Sequence, residues 1–185
     1  YQQRHHQLWI DYAAGKVTKE ELNRQRFVYP LLVVGVSQAE AIAKDFATDF
    51  FQVIPTKSEV IPHVHEVLAE LATRYNLYIL SNGFHELQRH KMRSAGLDIY
   101  FKDVILSDDI GILKPDARLF HHALKVANAT IADSLMIGDS WESDVVGASS
   151  VGMHQVYFSP KADASSLPFT PTYFITDLRQ LLEVL

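Results

Sequence analysis

The chain has 185 residues, 48% of them apolar, and a formal net charge of -5, which is enough to bury one core and a small second unit. The mild acidity, with no Lys/Arg run or basic stripe, argues against a binder of nucleic acid polymers, and the absence of cysteine excludes thiol catalysis, disulfides and zinc-thiolate sites. No apolar run approaches the roughly 18 residues that span a membrane, so a soluble protein without a membrane partner is expected; a cytoplasmic setting is the expectation, although the cysteine count does not decide it.

The chain opens on Tyr1-Gln2-Gln3-Arg4, already polar and helical and without an initiator Met, as if its beginning were missing. Residues 1–57 carry helical patterns alone. His5 to Ala14 places Leu8, Trp9 and Tyr12 at helical spacing before Gly15. Thr18-Lys19-Glu20-Glu21 reads as a capping box for a second helix that Gly35 ends, and Ser37-Gln38-Ala39-Glu40 as a second box. The third helix carries Ile42, Phe46 and Phe50 until Pro55 breaks it.

From residue 58 the pattern alternates strand and helix. Pro62 opens a helix with Val64, Val67, Leu68 and Leu71 on one face. Leu77 to Leu80 is a short strand ending at Ser81-Asn82-Gly83, followed by a helix from Phe84 to about Ala95. Val104-Ile105-Leu106 is the next strand, ending in Ser107-Asp108-Asp109. A loop with Lys114-Pro115 then precedes an amphipathic helix bearing Leu119, Phe120, Ala123 and Leu124. Ser134 to Ile137 is a strand that stops at Gly138-Asp139-Ser140, and Ser140 or Ser143 caps the helix after it. Gln155 to Phe158, a Pro/Ser-rich loop over 159–171, a strand at Tyr173 to Ile175 and a helix with Leu178, Leu181, Leu182 and Leu185 complete the chain. This alternation predicts a mainly parallel sheet with helices on both faces, an α/β fold.

In such a sheet the carboxyl ends of the strands form the ligand edge. Asp139 and Asp144 come together there with no Lys or Arg between them, a pairing that suits a shared, oxygen-seeking Mg²⁺; for an isolated G-D-S the preferred reading is a helix cap at Asp139 with Asp144 on the helix dipole, and the other motifs shift that preference. Ser81 offers a hydroxyl, and Asn82 and Gly83 offer N–H groups at a helix start, a setting for phosphate oxygens. Lys114 supplies positive charge. Each motif is common by itself, but hydroxyl, lysine and acidic pair occur in order after successive strands. His63 and His65, two apart on a helix, and the adjacent His121 and His122 do not form chelates. Trp9, Tyr12 or Phe27 could stack on a base or simply hold three helices together, and Trp141 reads as a packing residue.

The runs L-Y-I-L-S-N-G at 77–83, G-I-L-K-P-D-A-R-L-F at 111–120 and M-I-G-D-S-W-E-S-D at 136–144 resemble the second, third and fourth motifs of the haloacid dehalogenase-like (HAD) hydrolase superfamily, and the overall texture is similar to its YjjG-type pyrimidine 5'-nucleotidases. The resemblance implies a Rossmann-like three-layer core over 58–185 and a small helical cap over 1–57, incomplete at its N-terminus. It implies a Mg²⁺-dependent phosphohydrolase that works through an aspartyl-phosphate and takes a small phosphorylated metabolite, expected to be a nucleoside monophosphate. By the same resemblance Asp139 and Asp144 serve the metal, Asp144 in the outer shell or holding the lysine; Ser81, with the Asn82 and Gly83 N–H groups, clamps phosphate; and Lys114 steadies phosphate and nucleophile. The superfamily's first motif, a strand followed by D-x-D-x-T, does not occur in these residues. Asp11, Asp45 and Asp49 lie in helical patterns, so the nucleophile is expected outside them, and the strand carrying it would be central in the sheet, leaving two neighbours with unpaired edges. A 2-haloacid dehalogenase or phosphosugar mutase on the same scaffold and a non-catalytic phosphate or metal binder are the alternatives.

Overall fold

The computed structural model describes residues 2–161 and 164–185. Three helices lead: α1 (Gln2–Ala13), α2 (Lys19–Val33) and α3 (Ala39–Val53). Thr18 caps α2, its hydroxyl accepting from Glu21 N at 3.1 Å. Glu21 does not close the box, because its carboxylate turns outward to Arg24 and Gln25. The second expected box does not form. Gln38, in the left-handed region at φ 63°, is the N-cap of α3 and no side chain caps it, while Glu40 pairs with Arg24. α3 also buries a different face from the one its large residues suggest: Ala39 and Ala43 are enclosed, whereas Ile42 and Phe46 stay exposed. Small residues let it lie close to α2, and Phe27 of α2 meets Phe46, Phe50 and Phe51 with ring centroids 5.4–5.9 Å apart.

The alternating part follows as α4 (Val64–Arg74), β1 (Leu77–Ser81), α5 (His85–Ser94), β2 (Phe101–Leu106), α6 (Ala117–Ala127), β3 (Leu135–Gly138), α7 (Gly147–Ser150), β4 (His154–Phe158), β5 (Tyr173–Ile175) and α8 (Leu181–Val184). Helix α4 begins two residues later than Pro62 suggests, with His63 as a left-handed N-cap at φ 66°. His63 and His65 therefore do not share a helix. All strand pairings among the described residues are parallel, in two pieces ordered β1-β2 and β3-β4-β5. β1 and β3 each keep one edge without a strand partner among the described residues.

The strands alternate as a doubly covered sheet requires. Leu77, Leu135 and Ile137 pack with Val67 and Leu71 of α4 and Leu181 of α8 on one side. Leu80 and Met136 pack with Phe120 and Leu124 of α6 and Ala148 of α7 on the other. The result is an α/β, Rossmann-like, three-layer arrangement in which β1, β2 and β3 all finish at the edge that carries Ser81, Asp108 and Asp139. No helix among the described residues is long and apolar enough to cross a membrane.

Candidate active site

The site is built from three strand ends. Ser81, the last residue of β1, is half-buried, and its Oγ accepts from Gly83 N at 3.1 Å and from Gln88 Nε2 at 2.7 Å. With both acceptor positions filled, the hydroxyl proton is directed to another partner. A Cβ on Gly83 would stand 2.4 Å from Gln88 Nε2, so glycine is what lets Gln88 reach Ser81. Asn82 faces the other way and brackets the lysine loop: its Oδ1 accepts from Lys114 N at 2.7 Å and its Nδ2 donates to Lys114 O at 3.0 Å.

That bracket sets the reach of the lysine. Lys114 Nζ donates to Leu80 O on β1 at 2.7 Å and to Asp144 Oδ1 at 2.6 Å. The two side chains are only 9% and 6% exposed, so the ammonium and carboxylate are enclosed and must satisfy each other. Asp144 is brought back towards β3 because the chain enters its helix through a π-helical turn, Trp141–Val146, before α7. Its second oxygen accepts from Ser140 N at 3.1 Å, and Ser140 Oγ caps the turn by accepting from Ser143 N at 3.3 Å. Gly138 makes the approach sterically open, since a Cβ there would lie 2.2 Å from Asp144 Oδ2.

Asp139, between them in sequence, is exposed at the mouth. Both Asp144 oxygens are engaged within the protein, so Asp139 is the carboxylate of the pair that faces outward. No cluster of three or more His, Asp or Glu side chains suited to a metal occurs among the described residues. One open carboxylate at a hard-oxygen edge is nevertheless a fitting donor for Mg²⁺, which binds through few carboxylates and keeps several waters.

The family model for haloacid dehalogenase-like hydrolases matches residues 8–152. The chain belongs to this family. Among its relatives, the pyrimidine 5'-nucleotidase YjjG of Escherichia coli is 27% identical over an alignment spanning 100% of this chain and 80% of the relative, and the pyrimidine 5'-nucleotidase PynA of Streptococcus pneumoniae is 28% identical, spanning 96% and 75%. The crystal structure of the HAD-hydrolase YfnB from Bacillus subtilis, bound to magnesium, superposes with a TM-score of 0.84 at 26% identity, covering 100% of this chain and 79% of that one.

Within this HAD-family chain the structure joins Asn82, Lys114 and Asp144 by hydrogen bonds, holds Ser81 separately through Gly83 and Gln88 at the end of β1, and leaves Asp139 exposed after β3. Gly83 N–H, expected to face phosphate, is instead donated to Ser81 Oγ and holds the serine. His65 bonds the Tyr100 hydroxyl. Trp141 packs between Tyr157 and Phe169 at 5.2 and 4.8 Å.

Two features escape sequence reasoning. Gln88 carries no motif signature and is recognisable only because α5 presents it to Ser81. Trp9 and Tyr12 neither stack within the helical unit alone nor stand open: they pack on Phe84, at 5.2 and 5.7 Å, just beyond the Ser81-Asn82-Gly83 turn. Burial, and then the hydrogen bond to Asp108, push the Tyr12 phenol up to about 12. A shallow groove of about 600 Å³ between α2 and α3, lined by Ala43, Ala47 and Phe51 among others, contains none of the site residues.

Proposed function

We propose that the site hydrolyses phosphate monoesters in a Mg²⁺-dependent reaction, with nucleoside 5'-monophosphates as the preferred substrates. The observation that carries the reading is the enclosed Lys114 ammonium, fixed between the Leu80 carbonyl and Asp144, at the strand ends that carry Ser81 and the exposed Asp139. The named activities of YjjG and PynA support the nucleotide preference, and magnesium in YfnB supports the metal.

In this reading Ser81 O–H and the Asn82 N–H hold phosphoryl oxygens, and Lys114 places positive charge where negative charge concentrates as the phosphoryl group moves. Asp144 acts through Lys114 and Ser140, orienting the ammonium and the loop behind Asp139. Asp139 would hold Mg²⁺, which when bound neutralises phosphoryl charge. We place the attacking carboxylate outside residues 1–185, on a strand seated between the edges of β1 and β3 that lack a strand partner among the described residues; its end would open beside Lys114. A carboxylate oxygen there forms the new P–O bond as the ester P–O bond breaks, and the departing alkoxide takes a proton from a neighbouring acid. Water then attacks phosphorus, releasing phosphate and regenerating the carboxylate. Helices α1–α3 serve as the cap that excludes water during these steps.

The test is phosphate release from nucleoside monophosphates, sugar phosphates and a chromogenic ester, with Mg²⁺ and with EDTA, alongside halide release from a 2-haloacid. The expected result is EDTA-sensitive phosphate release favouring nucleotides by a full-length chain, and none by residues 1–185 alone. Halide release without phosphate release, or turnover by residues 1–185 alone, overturns the reading.

A further inference from the structure

The helical unit is fastened to the core at a small, chemically defined place. Tyr12 Oη donates to Asp108 Oδ1 at 2.7 Å. Lys19 Nζ stands 3.7 Å from Asp108 Oδ2 and 3.2 Å from Glu86 Oε2, and 4.4 Å from the centre of the Phe84 ring. Leu8 and Leu22 enclose Phe84 with Trp9 and Tyr12 around it. Phe84 directly follows the Ser81-Asn82-Gly83 turn and Asp108 follows the end of β2. The loops that build the ligand edge therefore also hold α1.

The contacts set the course of α1. Trp9 and Tyr12, nearly one turn apart, both pack on Phe84 just beyond the end of β1, and Tyr12 also reaches Asp108 beyond the end of β2. The C-terminal part of α1 therefore lies over the ends of β1 and β2, beside the Ser81-Asn82-Gly83 turn. In the preceding turn of α1, Trp9 Nε1 donates to His5 Nε2 at 3.3 Å. Lys114 joins the same end of β1 to Asp144.

Resting on the phosphohydrolase reading, we propose that Asp108 is a positioning residue: by docking Tyr12 and Lys19 it holds α1 across the mouth of the site, and it thereby favours esters whose leaving group is large enough to reach α1. Asp108 touches no reacting atom. Its role is to make closure productive for a nucleoside-sized leaving group, while a small ester that never reaches α1 gains nothing from it.

The experiment compares Asp108→Ala, Asp108→Asn and Tyr12→Phe in the full-length chain, measuring kcat and KM on a nucleoside monophosphate and on acetyl phosphate. Loss of a hydrogen bond to a charged group predicts a fall of about tenfold or more in kcat/KM for the nucleotide, with acetyl phosphate changed less than about twofold. Asp108→Asn, which keeps an acceptor for Tyr12, recovers part of the loss. Docking is read separately from Trp9 fluorescence in a Trp141→Phe background, where Asp108→Ala should shift the emission to the red as Trp9 leaves Phe84. Equal losses on both esters, or unchanged kinetics with shifted fluorescence, overturn the proposal. If the unsubstituted full-length chain releases phosphate from neither ester, the phosphohydrolase reading fails and the catalytic role of Asp108 with it, whatever the fluorescence shows about docking.

Discussion

Replacing Asp144 by alanine should destabilise the protein by about 3–5 kcal/mol, the range seen when one member of a buried ion pair is removed. Two partners lose their acceptor at once. Lys114 Nζ loses its 2.6 Å bond and Ser140 N its 3.1 Å bond, and the lysine side chain, 9% exposed, has little water to replace the carboxylate. Leu80 O remains as an acceptor for the ammonium, but a carbonyl dipole does not neutralise it. Asp144→Asn should cost less, because it keeps an acceptor oxygen and the side-chain volume. The decisive comparison adds Lys114→Met, which retains the apolar stem and removes the stranded charge. The Lys114→Met/Asp144→Asn pair should cost at least about 1.5 kcal/mol less than the sum of the single changes, since contacting residues in one network couple by this order. Urea unfolding followed by far-UV circular dichroism gives all four values. Additive costs, or a cost below about 1 kcal/mol for Asp144→Ala, would refute the enclosed, mutually dependent pair.

Gly138→Ala puts a methyl 2.2 Å from Asp144 Oδ2; overpacking of this kind costs about 1–3 kcal/mol, and the displaced carboxylate should lower phosphate release by more than tenfold, checked by thermal melting and steady-state assay. Gln88→Ala removes the 2.7 Å bond to Ser81 Oγ and should raise KM for the phosphate ester with a smaller effect on melting temperature. Tyr12 governs an alkaline limb. Its folded value of about 12 lies above the 10.0 of an unperturbed phenol, so its contribution is complete below pH 10 and is lost as pH rises through about 12. Urea midpoints measured from pH 9 upward should fall in the native protein more steeply than in Tyr12→Phe.

The parts of this molecule that can be read from sequence are those fixed by near neighbours. Leu77, Leu80, Leu135, Met136 and Ile137 alternate between the two helix layers as a period of two dictates, and the strands end where Ser81-Asn82-Gly83 and Gly138-Asp139-Ser140 signal a turn. The order of Ser81, Lys114 and Asp144 after successive parallel strands was enough to bring them to one edge. What could not be read depends on packing between distant elements. Ile42 and Phe46 have the periodicity of a buried face, yet α3 approaches α2 through Ala39 and Ala43, because small residues permit the closer contact. Ser37 has the composition of a cap, but the left-handed Gln38 takes the capping position. His63 stands outside its helix for a similar reason, its own backbone turning at φ 66°. The division of labour between the two aspartates was likewise hidden: a π-helical turn moves Asp144 inward onto Lys114 and Ser140, and no local pattern in W-E-S-D-V-V distinguishes that turn from an ordinary first helical turn. Gln88 and the Tyr12–Asp108 contact join residues 7 and 96 positions apart through tertiary geometry alone.

The most direct measurement of the central claim is the chemical nature of the phosphorylated protein formed during turnover. A full-length chain is mixed with a nucleoside monophosphate carrying a labelled phosphate, quenched in acid within milliseconds and treated with hydroxylamine. The account predicts a Mg²⁺-dependent phosphoprotein whose label hydroxylamine releases, as an acyl-phosphate requires, and which maps to an aspartate outside residues 1–185. A hydroxylamine-stable phosphoserine at Ser81, or an acyl-phosphate at Asp139 or Asp144, would contradict it.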